Sequence, residues 1–413
     1  MLNSSSLFVS PPRVLRLSTL AVLLIFCPHA HAATSEWQLV ATHTEAAQAS
    51  ATWGARWLWA LYAWRGRLFI GYGSFNGANP RAVIRAFDPK TNRFAAAPVF
   101  ATNNEALGLF REVGGRLYVP TMDAHDDGAS RQDFAVTTDK RGDVWTDHSE
   151  QLMYHIWDVA TFDGKDVWFV GAAPSKGVCP FNFCTDAVAY RSTDGGKTFT
   201  EMIRRPSAAA GYELAWFSFA CTFKGKLYLQ TFYRFAPNGL ADLVAPQSLV
   251  FDGQTWADGP DLLPERRAGE SGDAPVVFDH HLIYLTRVPI ARSYPNALPL
   301  WQNPLDLVTM DEHEHVTYMQ IPGGAANFTV AGRYLYVLTR AGDLRRTQTL
   351  AEGWAQWEQL PAFPAQDPDP PHNSSARSLA VLNHTLYVGT TQAQLWRLDL
   401  TKIRKSNSIL AKQ

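Results

Sequence analysis

The sequence is poor in cysteine, has almost no excess charge of either sign, and lacks a long apolar run after its first thirty or so residues. Four cysteines in 413 residues exclude a disulfide-dense scaffold. Lys plus Arg (37) balance Asp plus Glu (38), which argues against a broad nucleic-acid platform. Nothing beyond the leader approaches the roughly 18 consecutive apolar residues of a membrane span. The Ala/Glu/Lys/Leu bias of helical proteins is also weak. Instead there are 14 Trp, 23 Phe and 14 Tyr among 28 Gly and 25 Pro. That is a composition of strands and tight turns, with ample apolar material for a large core.

Residues 1–32 read as a secretory leader. Arg13 and Arg16 precede a short apolar run, Leu17 to Phe26, and Ala30-His31-Ala32 supplies small residues where a signal peptidase cuts. Cleavage is expected after Ala32, giving a periplasmic or secreted product with no membrane span. In such a compartment Cys179 and Cys184, five residues apart in sequence, are expected to form a local disulfide, and Cys221 to be a buried thiol.

One pattern organises residues 33–402. A short apolar strand, a tight turn and a second apolar strand recur roughly every 50–60 residues, a period that signals a propeller or solenoid. The second strands begin at Arg67, Arg116, Asp166, Lys226, Leu282, Tyr334 and Thr385. Gly, Asp or Asn stands in the turn before each of them. Third and fourth strands follow, for example Val83–Phe87 with Phe94–Phe100. Four strands in seven repeats predict an all-β, seven-bladed β-propeller. The last repeat has only three strands before a polar tail at 403–413, and Trp37–Val40 is an orphan strand ahead of the first. The N-terminal strand of the mature chain is therefore expected to complete the last blade and close the ring.

Ser192-Thr-Asp194-Gly-Gly196-Lys-Thr198-Phe199 matches the pattern Ser-x-Asp-x-Gly-x-Thr-Trp/Phe at every position. It resembles the Asp box, or bacterial neuraminidase repeat, of sialidase-like propellers. Looser copies start at Thr137 and Asp252. The resemblance implies a propeller whose Asp-box hairpins lie on the face opposite the active site, so Asp194 is expected to be structural. The first repeat lacks the Arg-Ile-Pro tripeptide of true sialidases, so sialidase activity proper is not implied.

Propellers bind ligands on the face where first strands begin and second strands end. This register puts Glu105, Tyr154, His155, Trp157, Asp158, Glu213 and Arg377 at or near first strands, together with Trp59, Trp216 and Asn327. Asp123, Arg234, Arg287 and Arg340 follow second strands. A guanidinium fork suits carboxylate or sulfate. The candidate catalytic set is His155, Tyr154, Asp158, Glu213 and Glu105, since an imidazole with a phenol and carboxylates can move protons. The candidate ligand-binding set is Arg234, Arg287, Arg340, Arg377, Trp157 and Asp123. Each residue has a plainer reading: arginines at strand ends commonly pair with neighbouring carboxylates, and Trp157 could simply pack between blades. Asp311-Glu-His313-Glu-His315 looks like a metal cluster but falls in a hairpin on the far face. No cofactor is called for, and calcium is the metal that the acidic tip Asp126-Asp127 suits.

Two functions compete. One is a secreted propeller that binds, and in an enzymatic version cleaves as a glycoside hydrolase or polysaccharide lyase, an acidic glycan. The other is a non-catalytic scaffold for an envelope protein. A monomer is expected in either case.

Overall fold

The computed structural model describes residues 36–49, 54–73, 81–96, 100–102, 104–120, 133–149, 153–177, 179, 184–207, 213–234, 243–262, 274–287, 305–364 and 375–403. The leader lies outside the described residues. Strand β1 (Trp37–Thr42) and the short helix α1 (Thr44–Gln48) open the fold. Next come β2 (Leu58–Trp64), β3 (Arg67–Tyr72), β4 (Val83–Ile84), β5 (Ala86–Asp88), β6 (Arg93–Phe94) and β7 (Phe100–Ala101). The second group is β8 (Arg111–Val113), β9 (Arg116–Pro120), β10 (Asp133–Thr137) and β11 (Trp145–Ser149). The third is β12 (His155–Ala160), β13 (Val167–Pro174), β14 (Thr185–Ser192) and β15 (Thr200–Arg205). The fourth is β16 (Leu214–Phe223), β17 (Lys226–Arg234), β18 (Leu243–Phe251) and β19 (Trp256–Asp258). The fifth is β20 (Val276–Phe278), β21 (His281–Arg287), β22 (Leu305–Met310) and β23 (Val316–Met319). The sixth is β24 (Ala325–Ala331), β25 (Tyr334–Thr339), β26 (Leu344–Thr347) and β27 (Glu358–Leu360). The chain finishes with β28 (Ala376–Leu382), β29 (Thr385–Thr390) and β30 (Gln394–Asp399). Among the described residues, no helix is long and apolar enough to cross a membrane.

The strands are antiparallel meanders, and their turn chemistry explains why. Arg65-Gly66, Asp279-His280 and Asn383-His384 have both central residues at positive φ, the turn geometry that matches strand twist. β1 pairs with β30, Trp37 opposite Leu398 and Thr42 opposite Gln394, and joins the sheet β1-β30-β29-β28.

Three expectations need correction. Seven separate sheets were anticipated, but among the described residues five four-stranded sheets stand alone and β12 to β19 form one eight-stranded sheet. The joint is a single parallel pair, Thr185 with Leu214, supported by Thr185 N donating to Glu213 O and Thr185 Oγ1 to Ala215 O. The continuous strand expected at Val83–Phe87 is broken at Arg85. That side chain turns to Glu45 and to the Ala95 carbonyl, so β4 pairs with β7 while β5 pairs with β3 and β6. At the other terminus Ile403, expected to begin a polar tail, is buried with Leu400 against the last sheet.

Neighbouring sheets pack face to face through aromatic rings. The first strands lie against one another, β2 and β24 on β28 and β12 on β16. At the edge where first strands end, hereafter the lower edge, one device recurs. Asp194 accepts the Lys197 and Thr198 amides at 3.0 and 2.9 Å and the Thr198 hydroxyl at 2.7 Å, while the Ser192 hydroxyl takes the Gly196 amide at 2.7 Å. These donors hold the Asp194 carboxyl well below the usual carboxylate range, the Thr198 amide first. Asp139, Asp252 and Asp311 accept turn amides in the same way. In three of these turns a glycine lies on a ring of the preceding meander. A Cβ on Gly142, Gly196 or Gly253 would stand 2.6, 2.8 or 3.0 Å from Phe69, Phe134 or Phe162. The aromatic after each turn also packs backward: Trp145 on Phe69, Phe199 on Phe134 and Trp256 on Trp168.

The helix α1 is capped by His43, whose Nδ1 accepts the Ala46 amide at 3.3 Å. The ring is fully buried between Tyr72 and Phe94. Burial pushes its pKa down from 6.5 to about 4, the nearby Glu45 opposing and Arg85 assisting. Between these two values the unfolded chain takes up a proton that the folded chain refuses. Stability therefore falls as pH drops from 6.5 toward 4, by about 3 kcal/mol in all. His43→Asn, which retains an acceptor for the cap, should flatten the melting temperature against pH across that window; an unchanged slope would assign it to other groups.

Candidate functional site

At the opposite, upper edge, first strands begin and second strands end. Five first strands carry a β-bulge there, at Trp59, Trp157, Ser218, Ala326 and Arg377. A bulge leaves one residue without a register partner and re-aims its side chain, which is why bulges collect beside functional sites. In this protein two of the five are tryptophans and one is arginine.

These residues build two aromatic groups. In the first, the Arg377 guanidinium lies 4.6 Å over the Trp57 ring, and Trp57 packs on Trp59 at 4.7 Å. Trp59 Nε1 donates to the Gly73 carbonyl at 2.8 Å. Gly73 faces the Glu105 backbone so closely that a Cβ would lie 2.2 Å from Glu105 O. The second group is a ladder across two meanders. His155 meets Trp157 at 5.3 Å, Trp157 stacks on Trp216 at 5.5 Å, and Trp216 stacks on Phe232 at 4.7 Å. Trp157 is half-buried and Trp216 buried.

The ladder holds an unusual polar feature. Among the described residues, neither Trp157 Nε1 nor Trp216 Nε1 has a hydrogen-bond partner, although both atoms are shielded from solvent. A shielded donor without an acceptor costs about 1–3 kcal/mol. Trp37 and Trp145 donate to the Pro361 and Gly142 carbonyls and Trp168 to Asp166 Oδ2, whereas Trp64 Nε1, like the two ladder indoles, has no partner but stands alone rather than in a stacked pair.

The other expected site residues divide. Tyr154 adjoins the ladder, its amide on the Ala172 carbonyl at 2.7 Å. Glu213 precedes β16, and its carbonyl accepts from Thr185 and Ser207. Glu105 is buried. Arg340 follows β25, half-buried, with its amide on Gly324 O. Arg234 and Arg287 end β17 and β21 at this edge, with side chains outside the described residues; Asp123 and the Asp126-Asp127 tip lie wholly outside them. Cys179 and Cys184 are joined by a disulfide, and Cys221 is a buried thiol in β16. No group of three or more His, Cys, Asp or Glu side chains among the described residues could hold a metal, and Asp311 with His313 and His315 is an amide-capped turn.

Asp158, a candidate acid or base, is held in an ion pair. It is fully buried and takes Arg111 Nε and Nη2, each at 2.9 Å, in a two-pronged pair. It also accepts the Ala220 amide from β16 at 3.0 Å. The same position does comparable work elsewhere. Asn327, next after its bulge, accepts the Leu379 amide at 3.1 Å, and Ser378, next after its own, donates to Leu58 O at 2.6 Å. At three of the five bulges the next residue is thus a tie to a neighbouring first strand. Sequence reasoning did not single out Arg111, Trp57 or Phe232. The spacing of Trp57 and Trp59 at the start of a first strand was the available signal for one of them; Arg111 carried none.

No family model matches the chain, and no curated protein does. Solved structures do. One is the GH74 enzyme of Niastella koreensis, 12% identical, covering 88% of this chain and 54% of that one with a TM-score of 0.51. The chain is a β-propeller. Weaker likenesses are to virginiamycin B lyase from Staphylococcus aureus (11% identity, 88% of this chain and 99% of that one, TM-score 0.49) and to the propeller domain of the Trilobed protease from Pyrococcus furiosus (10%, 84% and 96%, TM-score 0.45). At these identities the likeness speaks to the fold of this propeller alone.

Proposed function

We propose that this propeller is an exported protein that binds an acidic glycan at its upper edge. The observation that carries the reading is the pair of aromatic groups raised on bulged first strands, one with a stacked arginine and the other with a half-buried tryptophan. Flat indole faces suit sugar rings, and the Arg377 guanidinium over Trp57, which donates Nη1 to the Ala376 carbonyl at 2.7 Å, carries further N–H groups of the kind that bind carboxylate or sulfate. In the same reading the eight-stranded sheet counts as two blades fused by one bridge, so the wheel has seven. β1 closes it, consistent with β2 lying against β28 and with Ser378 bonded to Leu58 O. The Asp-box turns then lie on the face away from the ligand. If the protein also cleaves, proton transfer falls to His155 and Tyr154, because Asp158 is committed to Arg111.

The test is calorimetric titration with uronate-containing, sulfated and neutral oligosaccharides. Trp157→Ala and Arg377→Ala should each weaken acidic-ligand binding about tenfold or more. His313→Ala, exposed at the lower edge, should leave it unchanged. Wild-type protein that binds none of the acidic ligands, or both upper-edge variants binding them normally, would reject the reading.

A further inference from the structure

The two unpartnered indole donors of Trp157 and Trp216 need an explanation that stacking does not supply. They belong to adjacent, stacked rings on neighbouring meanders, and Trp216 is 8% exposed. An indole N–H donates and never accepts, so the missing partner is an acceptor. Bulk water cannot serve, since both nitrogens are shielded. Trp157 is the bulged residue and the less buried ring of the two, so of the pair it is the one nearer solvent. His155 packs on the Trp157 ring and Phe232 on the Trp216 ring, so the two indoles form the middle of the ladder.

We propose that Trp157 Nε1 and Trp216 Nε1 form a paired donor subsite for an oxyanion of the ligand, a sugar carboxylate or sulfate, with entry accompanied by movement of the Trp157 ring. This rests on the glycan reading above and adds the group that is recognised. An oxyanion presents acceptors only and satisfies both donors, whereas a neutral hydroxymethyl group at that position satisfies them less well. The ladder therefore selects acidic over neutral sugars without a charged side chain.

Tryptophan-to-phenylalanine substitution separates donor from platform, because the ring face stays and the N–H goes. Trp157→Phe and Trp216→Phe should each lower affinity for uronate or sulfated oligosaccharides about tenfold and leave affinity for the neutral analogue unchanged. Their melting temperatures should match or exceed the wild type, since each loses an unsatisfied donor. In nitrogen-15 spectra of the wild type, two indole N–H signals should move on adding the acidic ligand and not the neutral one. The arms with uronate alone and sulfate alone identify which oxyanion is read. If both phenylalanine variants bind the acidic ligand as the wild type does while Trp157→Ala does not, the donor pair holds only an ordered water; the subsite is then rejected and the glycan reading survives. If the wild type binds no oligosaccharide, both fall.

Discussion

Removal of residues through Val40 is expected to destabilise the protein severely, whereas removal of 404–413 should change its melting temperature little. Trp37 is buried, donates from Nε1 to the Pro361 carbonyl at 3.1 Å and meets the Phe363 ring edge-on at 5.3 Å. Trp37→Ala alone should cost about 3–5 kcal/mol through the cavity and lost contact. The truncation adds to that the loss of ladder bonds along β30, whose exposed edge would invite aggregation. Thermal scans and light scattering on the two truncations measure this directly. Equal melting temperatures would mean that β1 is an accessory strand and that the wheel is not closed by it.

Asp158→Ala should cost about 3–5 kcal/mol, the usual penalty for stripping one partner from a buried ion pair. Arg111 would keep its charge with its side chain 13% exposed, and the Ala220 amide would lose its acceptor. Asp158→Asn is the informative companion. Asn327 already fills the corresponding position with an amide oxygen, so the Asp158→Asn variant should retain the bond to Ala220 and lose only part of the Arg111 pair. Its loss should fall well below that of alanine, and urea unfolding of the two variants gives the order. A catalytic carboxylate behaves otherwise: both variants would keep wild-type stability and lose turnover on a glycan substrate. That result would return Asp158 to the site.

Much of the fold was legible locally. β3, β9, β13, β17, β21, β25 and β29 fall at the second strands read from the repeat, because apolar alternation and turn residues act over a few positions. The pairing of Trp37–Val40 with the last sheet followed from counting strands. The amide-capped turns at Asp194 and Asp252 were also visible, because an Asp that accepts amides two to four residues on needs no distant partner. The site was read less well. A bulge is a mismatch between two strands, and neither strand records it alone. Trp157 was therefore recognised as a candidate, but its stacking on Trp216 was not, and Asp158 looked available for chemistry because Arg111 lies far from it in sequence.

The sequence by itself determined an all-β repeat, its strand order and its turns, since these depend on side-chain alternation and on backbone angles that glycine, asparagine and aspartate tolerate. Tertiary structure alone decided which first strands bulge, that β12 to β19 share one hydrogen-bonded sheet, that Asp158 ties three strands together, and that two stacked indoles keep donors without acceptors. Each of these depends on groups that meet only when one meander packs on the next, and such meetings are set by the summed geometry of many strands.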